Sequence, residues 1–383
     1  MLCRFLPADS LVCFCILNPH LSVKATEDLN LVVKYVAKPC ESSERSFGNW
    51  RDRLYTFKQQ TQQKLIESPK LASQVEDFAR EHKVDAIWSV LEGQTLIRVT
   101  LDVAKRMNIP LHTMVWDVVE WWLQDNDIDK LSSLWVKHDF DQVIKMSRSC
   151  ATASWTMSEA YESRYNVRCI PVISSLPRSL ARPPSGALNK EHELTIGVAG
   201  QLYAENEWKR LLDGLDAVDW RINERSVRLK LIGKSESRIA GRNIDYLGYQ
   251  PQEKVIELLS QMDLCFCPYP FSSSMKKVSQ TSFPSKLVSY LASGRPTIVH
   301  APDYASPAKY VERNAVGVVA KKEDFEDLIQ TITTVVKDER RYSQMAQNAH
   351  VSFLRDFTHE TMRANFINFL EMAQWQRQSA DIC

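Results

Sequence analysis

The run Ser282-Phe283-Pro284-Ser285-Lys286-Leu287 stands at the head of an apolar, helix-like stretch and has the make-up of an anion site. Pro284 suits a helix start, because the first N–H groups of a helix have no partner within it. Those free amides, with Ser285 and Lys286 in the first turn, can engage a phosphate; a lysine there opposes the helix dipole, which a bound anion would offset. Gly294 then closes the helix in the left-handed conformation, and Arg295-Pro296 leads into a buried strand. The same residues also make a plain helix–strand connection, and spacing alone leaves both readings open. A second group lies in the first half, where His112 and Asp117 read as following a strand, the place for cleft residues in an α/β domain. Beside them Trp116, Trp121 and Trp122 offer flat apolar faces, suited to stacking or to packing. Glu92-Gly93 ends another strand and is a candidate for lining the same cleft.

Other chemistries lack their residues. No P-loop is present, and Gly197 and Gly200 alone do not make the Gly-x-Gly-x-x-Gly turn of a dinucleotide site. No His, Cys, Asp or Glu cluster has metal-ligand spacing, so no metal and no cofactor are expected. The nine cysteines include Cys13/Cys15 and Cys265/Cys267, each alternating within an apolar run. Alternate strand residues share a face, so these pairs read as small packed hydrophobes in a reducing compartment. A net charge of +1, from 48 basic and 47 acidic residues, gives no footprint for nucleic acid. The apolar run Leu11–Leu17 is too short for a signal core or a span of about 20 residues. The expectation is a cytoplasmic protein with at most peripheral membrane contact, its alternative station being the inner face of a membrane.

The elements that must position these groups alternate between strand and helix, which argues for parallel α/β layers. In the first half the strands read as Leu11–Leu17, Leu29–Ala37, Asp85–Leu91, Pro110–Val115, Cys150–Ser154 and Cys169–Ile173. Helices read as Trp50–Ser68, Lys70–His82, Thr95–Met107, Leu131–Ser147 and Ser158–Tyr165. The stretch Ser174–Lys190 is rich in proline and serine without apolar periodicity and reads as a linker. A second α/β half restarts at Leu194–Val198, continues through Val227–Ile232, Ile244–Tyr246, Leu264–Pro268, Thr297–His300 and Gly317–Ala320, and ends in helices. The expected domains are 1–178, a linker at 179–190, and 191–383, with the last helix around Thr358–Gln374 packing back across the hinge. No glycine precedes Gly48, so the first domain reads as lacking its opening βα unit or as atypical.

At Ser282–Ala301, SFPSKLVSYLASGRPTIVHA, the sequence resembles the donor-binding helix of GT-B glycosyltransferases of the family-four type. Three further segments fall in that family's order. LTIGVAGQL (Leu194–Leu202) is similar to its opening strand and glycine turn, LKLIGKSES (Leu229–Ser237) to its second loop, and Ile244–Tyr269 to its Leu-Gly-Tyr segment, helix and Asp-then-Pro strand. The likeness covers Leu194 to about Ala320 and is weak before that.

The resemblance implies a GT-B fold, with two Rossmann-like domains facing a cleft and the sugar-nucleotide donor in the C-terminal one. It implies a retaining transferase of polysaccharide biosynthesis that moves a sugar from a UDP- or GDP-sugar to a glycan or lipid-linked acceptor. Carried over to this chain, Lys286 would contact the diphosphate with amides near Ser285 and Gly200, in the Pro-x-Lys-Leu form that includes Leu287. Gly248, Tyr249 and Gln250 would lie along the base, while Gln201, Lys209 and Lys234 are candidates for further donor contacts. His112 and Asp117 would stand near the reacting sugar. Thr281 and Ser289 occupy the positions of two glutamates common in the family, one toward the donor sugar and one toward the ribose. Two rival readings keep the fold: a non-catalytic partner of another transferase, and a sugar-nucleotide epimerase.

Overall fold

A computed structural model describes residues 1–18, 31–41, 50–188, 192–201, 204–233 and 243–372. The chain divides into two compact units, Met1–Val172 with Arg363–Cys383, and Ile173–Met362.

The first unit opens with a parallel pair, β1 (Val12–Leu17) and β2 (Val32–Ala37), in register from Val12↔Val32 to Leu17↔Ala37. A helical stretch follows: α1 (Trp50–Gln62), a wide turn at Gln63–Glu67, and α2 (Ser68–Glu81). Pro69 has no N–H to give to the preceding turn and its ring crowds that turn's carbonyl, so the helix widens there instead of breaking. The remaining strands β3 (Ile87–Val90), β4 (Leu111–Val115), β5 (Ser149–Thr152) and β6 (Arg168–Pro171) form one parallel sheet in sequence order. Between them run α3 (Gly93–Met107), α4 (Val119–Asp125), α5 (Lys130–Met146) and α6 (Trp155–Tyr165). Ile16 of β1, Leu71 and Ala72 of α2, and Val99 and Val103 of α3 share one core, with Phe14, Val36 and Ile87 packed on it.

The second unit is built on β7 (Glu193–Ala199), β8 (Arg221–Ile222), β9 (Arg225–Ile232), β10 (Ile244–Tyr246), β11 (Leu264–Pro268), β12 (Thr297–His300) and β13 (Gly317–Ala320). Their order is β10-β9-β7-β11-β12-β13, all parallel, with β8 antiparallel to β9 as a short hairpin. Its helices are α7 (Glu205–Ala217), α8 (Gln252–Leu259), α9 (Lys276–Thr281), α10 (Ser285–Ala292), α11 (Ser306–Asn314), α12 (Phe325–Lys337) and α13 (Glu339–Asp356); α14 (His359–Phe369) begins in this unit and ends in the first. Leu194, Ile196 and Val198 of β7 face Trp208, Leu211 and Leu215 of α7 in the core. On the opposite face a Cβ at Gly197 would lie 2.9 Å from Leu259, so helices cover both sides, as a parallel sheet requires.

The chain leaves β7 in one direction, to β9 and β10, and then crosses to the other side, to β11, β12 and β13. That reversal makes the β7–β11 boundary a topological switch point, and crevices beyond the carboxyl ends of strands at such points hold ligands.

The proline-rich stretch after Val172 lies along the second unit. The Leu176 N–H donates to Phe357 O at 2.9 Å, and the Arg182 N–H to Ala292 O at 2.8 Å. The chain from Arg363 belongs to the first unit, where Asn365 donates to Pro171 O at 3.1 Å. Of the cysteine pairs, Cys265 and Cys267 are fully buried. Cys13 and Cys15 are half-buried, their sulfurs 3.7 Å apart. Among the described residues no helix is long and apolar enough to cross a membrane.

Candidate functional site

In the second unit three glycines turn the chain at the carboxyl ends of neighbouring strands: Gly200 after β7, Gly233 after β9 and Gly248 after β10. Their φ angles are +82°, +148° and +70°, values that side-chain-bearing residues rarely adopt. The turns interlock. The Gly200 N–H donates to Ile232 O at 2.8 Å and the Gly233 N–H to Gly248 O at 2.9 Å. A Cβ on Gly233 would stand 3.0 Å from Gly200 O, leaving no room for one.

Helix α10 approaches this ledge from the β11 side. Lys286 and Tyr290 are one turn apart and so share a face. The Tyr290 hydroxyl accepts from the Ala199 N–H and donates to Phe266 O, both at 3.0 Å, joining β7 to β11 across the switch point. The Lys286 ammonium reaches Gln201 O at 2.8 Å, and its Cε would be 4.0 Å from a Cβ at Gly200. Lys286 is buried; burial lowers its pKa, and the neighbouring Cys267 sulfur works in the opposite direction. Burial pushes the Cys267 thiol up to about 11. The helix begins at Pro284 without a side-chain cap, and Ser285 is exposed in its first turn. Leu287 is fully buried and anchors the turn. A charged ammonium, glycine-turn amides and uncapped helix amides at one switch point together suit a polyanion.

The structure brings Gly200, Gln201, Ser285, Lys286, Leu287 and Ser289 together. Ser289 is buried, and Gln252 at the start of α8 donates to its hydroxyl at 3.0 Å. Tyr249 projects from the Gly248 turn and is 73% exposed, which leaves its ring open for stacking. Gln250 folds its amide onto Leu247 O at 2.7 Å. Thr281, at the end of α9, turns its hydroxyl back to Lys277 O at 2.8 Å.

Lys209 stands apart, a correction to its place as a second phosphate contact. Trp208, Leu211 and Leu215 form the inward face of α7, so Lys209 lies on the outer face, paired with Asp213 at 2.6 Å. Lys234 lies outside the described residues. Glu207 is buried and accepts from the Phe271 N–H at 3.0 Å, which fixes the start of the loop leading to α9.

In the first unit His112 does not follow a strand. It is the second residue of β4, at the end opposite the carboxyl edge, and it is buried. Its Nδ1 lies 2.7 Å from Ser149 Oγ, whose proton goes to Phe369 O at 2.7 Å, so the imidazole donates from Nδ1. The Phe369 ring meets it edge-on at 5.6 Å. Burial lowers the His112 pKa, with Glu371 and Arg148 acting in opposite senses. This is a packed structural histidine.

Asp117 does follow β4, while Glu92 follows the adjacent β3. Asp117 keeps solvent contact, yet the packing around it and then the Glu92 carboxylate both raise its pKa. Trp116 beside it is 46% exposed. Trp122 is committed to packing, donating to Gln94 Oε1 at 2.9 Å and lying under the Lys38 ammonium at 5.1 Å.

Sequence reasoning missed Gln252 and Tyr290. Tyr290 carried a signal, its spacing of four from Lys286; Gln252 lies 37 residues from Ser289 and carried none. Among the described residues no group of three or more His, Cys, Asp or Glu side chains could hold a metal ion.

Residues 187–351 match the family model described as glycosyl transferases group 1. No curated protein matches the chain in sequence. Solved structures match along most of its length. Sucrose-phosphate synthase from Thermosynechococcus elongatus superposes with a TM-score of 0.60 at 14% identity, covering 97% of this chain and 89% of that one. HepE of Anabaena, solved in complex with UDP, gives 0.61 at 15% identity, covering 91% and 88%. The α,α-trehalose 6-phosphate synthase of Burkholderia multivorans gives 0.58 at 10% identity, covering 92% and 87%. At these identities the likeness shows the fold, which is GT-B.

Proposed function

We propose that the chain, whose residues 187–351 match the model of the glycosyl transferases group 1, is an enzyme of that kind and moves a sugar from a nucleoside-diphosphate sugar, with retention of configuration, to a glycan or lipid-linked acceptor. The observation that carries this reading is the buried Lys286 ammonium beneath the Gly200 turn, at 2.8 Å from Gln201 O. The diphosphate lies against that ammonium and the amides of Gly200 and the first turn of α10. Charge on the departing diphosphate is stabilised there by donors already in place, so little reorganisation accompanies bond cleavage. Tyr249 lies along the base, and the Gln252–Ser289 pair faces the ribose, hydrogen-bonding its hydroxyls without a carboxylate. HepE, of the same fold, has been solved with UDP and with UDP-glucose, which favours a UDP-sugar over a GDP-sugar here.

On the acceptor side, Asp117 and Glu92 at the carboxyl edge of β3 and β4 are the ionisable groups offered by the first unit. The packing around Asp117 and the Glu92 carboxylate both raise its pKa, the direction that makes a carboxylate a better proton acceptor. Calorimetry with UDP, GDP and a panel of their sugars tests the donor reading. Micromolar binding of a UDP-sugar that Lys286→Ala removes supports it, and failure of every nucleotide to bind defeats it.

A further inference from the structure

The first unit carries a group of thiols that sugar transfer does not use. Cys13 and Cys15 alternate along β1 and so share one face, their sulfurs 3.7 Å apart. Phe14 and Ile16 turn the other way, onto the core made with α2 and α3. Cys3, in the short turn Leu2–Phe5, interacts electrostatically with both sulfurs. All three side chains are partly exposed. Cys265 and Cys267 are fully buried instead, and burial pushes their thiols up to about 12 and about 11. Thiols of that buried kind are inert, while reactive ones are partly exposed with a stabilised thiolate.

The two sulfurs of β1 divide the work of a dithiol. The hydrogen bond between them lowers the Cys15 thiol, against burial and Cys3, and raises Cys13, with burial adding to the rise. Cys15 therefore holds the thiolate and Cys13 keeps the proton, the pairing of an attacking thiol with a resolving one. Strand geometry sets the bond they can make. Residues two apart on a strand have Cα atoms about 6.6 Å apart, near the upper end of the span of about 4.4–6.8 Å that a disulfide bridges. The sulfurs must close from 3.7 Å to about 2.0 Å, so β1 must pinch, against its register with β2 from Val12↔Val32 to Leu17↔Ala37. A bond formed under that load is readily reduced again, the behaviour of labile disulfides.

We propose that Cys13 and Cys15 form a reversible dithiol site that reacts with low-molecular-weight disulfides such as glutathione disulfide. The Cys15 thiolate attacks one sulfur of the small disulfide, forming a mixed disulfide and expelling a thiolate, which takes up a proton. Cys13 then attacks the Cys15 sulfur and closes the Cys13–Cys15 bond, its proton passing to the second small thiolate as that leaves. Two protein thiols are oxidised by two electrons, and one small disulfide is reduced to two thiols. The inference does not depend on the donor reading.

Incubation of the full chain with glutathione disulfide, followed by alkylation and peptide mass spectrometry, tests it. A Cys40→Ser/Cys383→Ser background removes two other thiols. Cys13 and Cys15 fall in the tryptic peptide 5–24 and Cys3 in 1–4, so the bond appears as a loss of two hydrogens from a single peptide. That loss is expected, and dithiothreitol should reverse it. Cys13→Ser should stop at a mixed disulfide on Cys15, and Cys15→Ser should react at least about tenfold more slowly. Circular dichroism of the reduced proteins checks that each variant is folded. The proposal is overturned if both thiols stay open to alkylation in excess glutathione disulfide, or if the bond joins peptide 5–24 to 1–4. Equal rates of mixed-disulfide formation in the two single variants overturn it as well.

Discussion

The Lys286 ammonium donates to the Gln201 carbonyl at 2.8 Å, across 85 residues of chain. That contact holds a buried positive charge at the edge of the Gly200 turn, with a backbone carbonyl as the partner a phosphate oxygen would join. Charge-assisted hydrogen bonds contribute about 1.5–3 kcal/mol, so Lys286→Met should weaken UDP binding by about tenfold to a hundredfold. Methionine keeps most of the apolar stem, so the unfolding midpoint should fall little. Equal nucleotide affinity in the two proteins, measured by calorimetry, would remove Lys286 from the site.

Tyr290 gives a stability prediction at the same switch point. Its hydroxyl is the partner of both the Ala199 N–H and the Phe266 carbonyl. Tyr290→Phe keeps the ring and orphans two buried backbone groups, at a cost of about 1–3 kcal/mol. Urea unfolding measures it directly. A loss within a few tenths of a kcal/mol would mean that water or local movement replaces the hydroxyl.

Much of this architecture was legible in the residues, for identifiable reasons. Ile244–Tyr246, Leu264–Pro268, Thr297–His300 and Gly317–Ala320 have the bounds read from the sequence, most of them short apolar runs closed by glycine, proline or charge. Elements that escaped were too short or too polar to show a period: the seven-residue α4, the six-residue α9, α11 with its Ser-Pro start, and the two-residue β8. The anion site could be foreseen because its lysine and helix start are contiguous. Gln252 beside Ser289 could not, since only the fold brings those side chains together. His112 was misplaced because β4 is buried along its whole length, so alternation does not reveal what each residue faces. Lys209 was misplaced for want of a helical wheel, which puts it opposite Trp208, Leu211 and Leu215.

The amino end of α3 already holds an anion, the protein's own. Glu41 accepts from the Thr95 N–H at 2.7 Å and pairs with Lys38 at 2.6 Å, both side chains being buried. Gly93, at φ +85°, makes space for it, since a Cβ there would fall 2.3 Å from Glu41 Oε2. Glu41→Ala leaves the lysine buried without its counter-ion and should destabilise the first unit by about 3–5 kcal/mol. Adding Lys38→Met should recover part of that loss. A single-variant cost under about 1 kcal/mol, the range of surface pairs, would show the pair to be solvated.

Two buried histidines set the acid response. Burial lowers the pKa of both His112 and His300 from the ordinary 6.5. His112 donates from Nδ1 to Ser149. His300 has its Nε2 2.9 Å from Lys322 O, while its buried Nδ1 makes no hydrogen bond. The unfolded chain therefore takes up these protons first. Their contribution to stability is fully present above about pH 6.5 and is lost as pH falls toward the lowered folded-state values. Urea midpoints should drop between about pH 7.5 and pH 5.5, above the range in which ordinary carboxylates titrate. His112→Asn keeps a donor near Nδ1 and His300→Gln one near Nε2, so each should fold while flattening the profile, and the pair together more than either alone. An acid profile as steep in the double variant as in wild type would place the sensitivity elsewhere, in groups whose protonation the fold opposes for reasons other than these two buried rings.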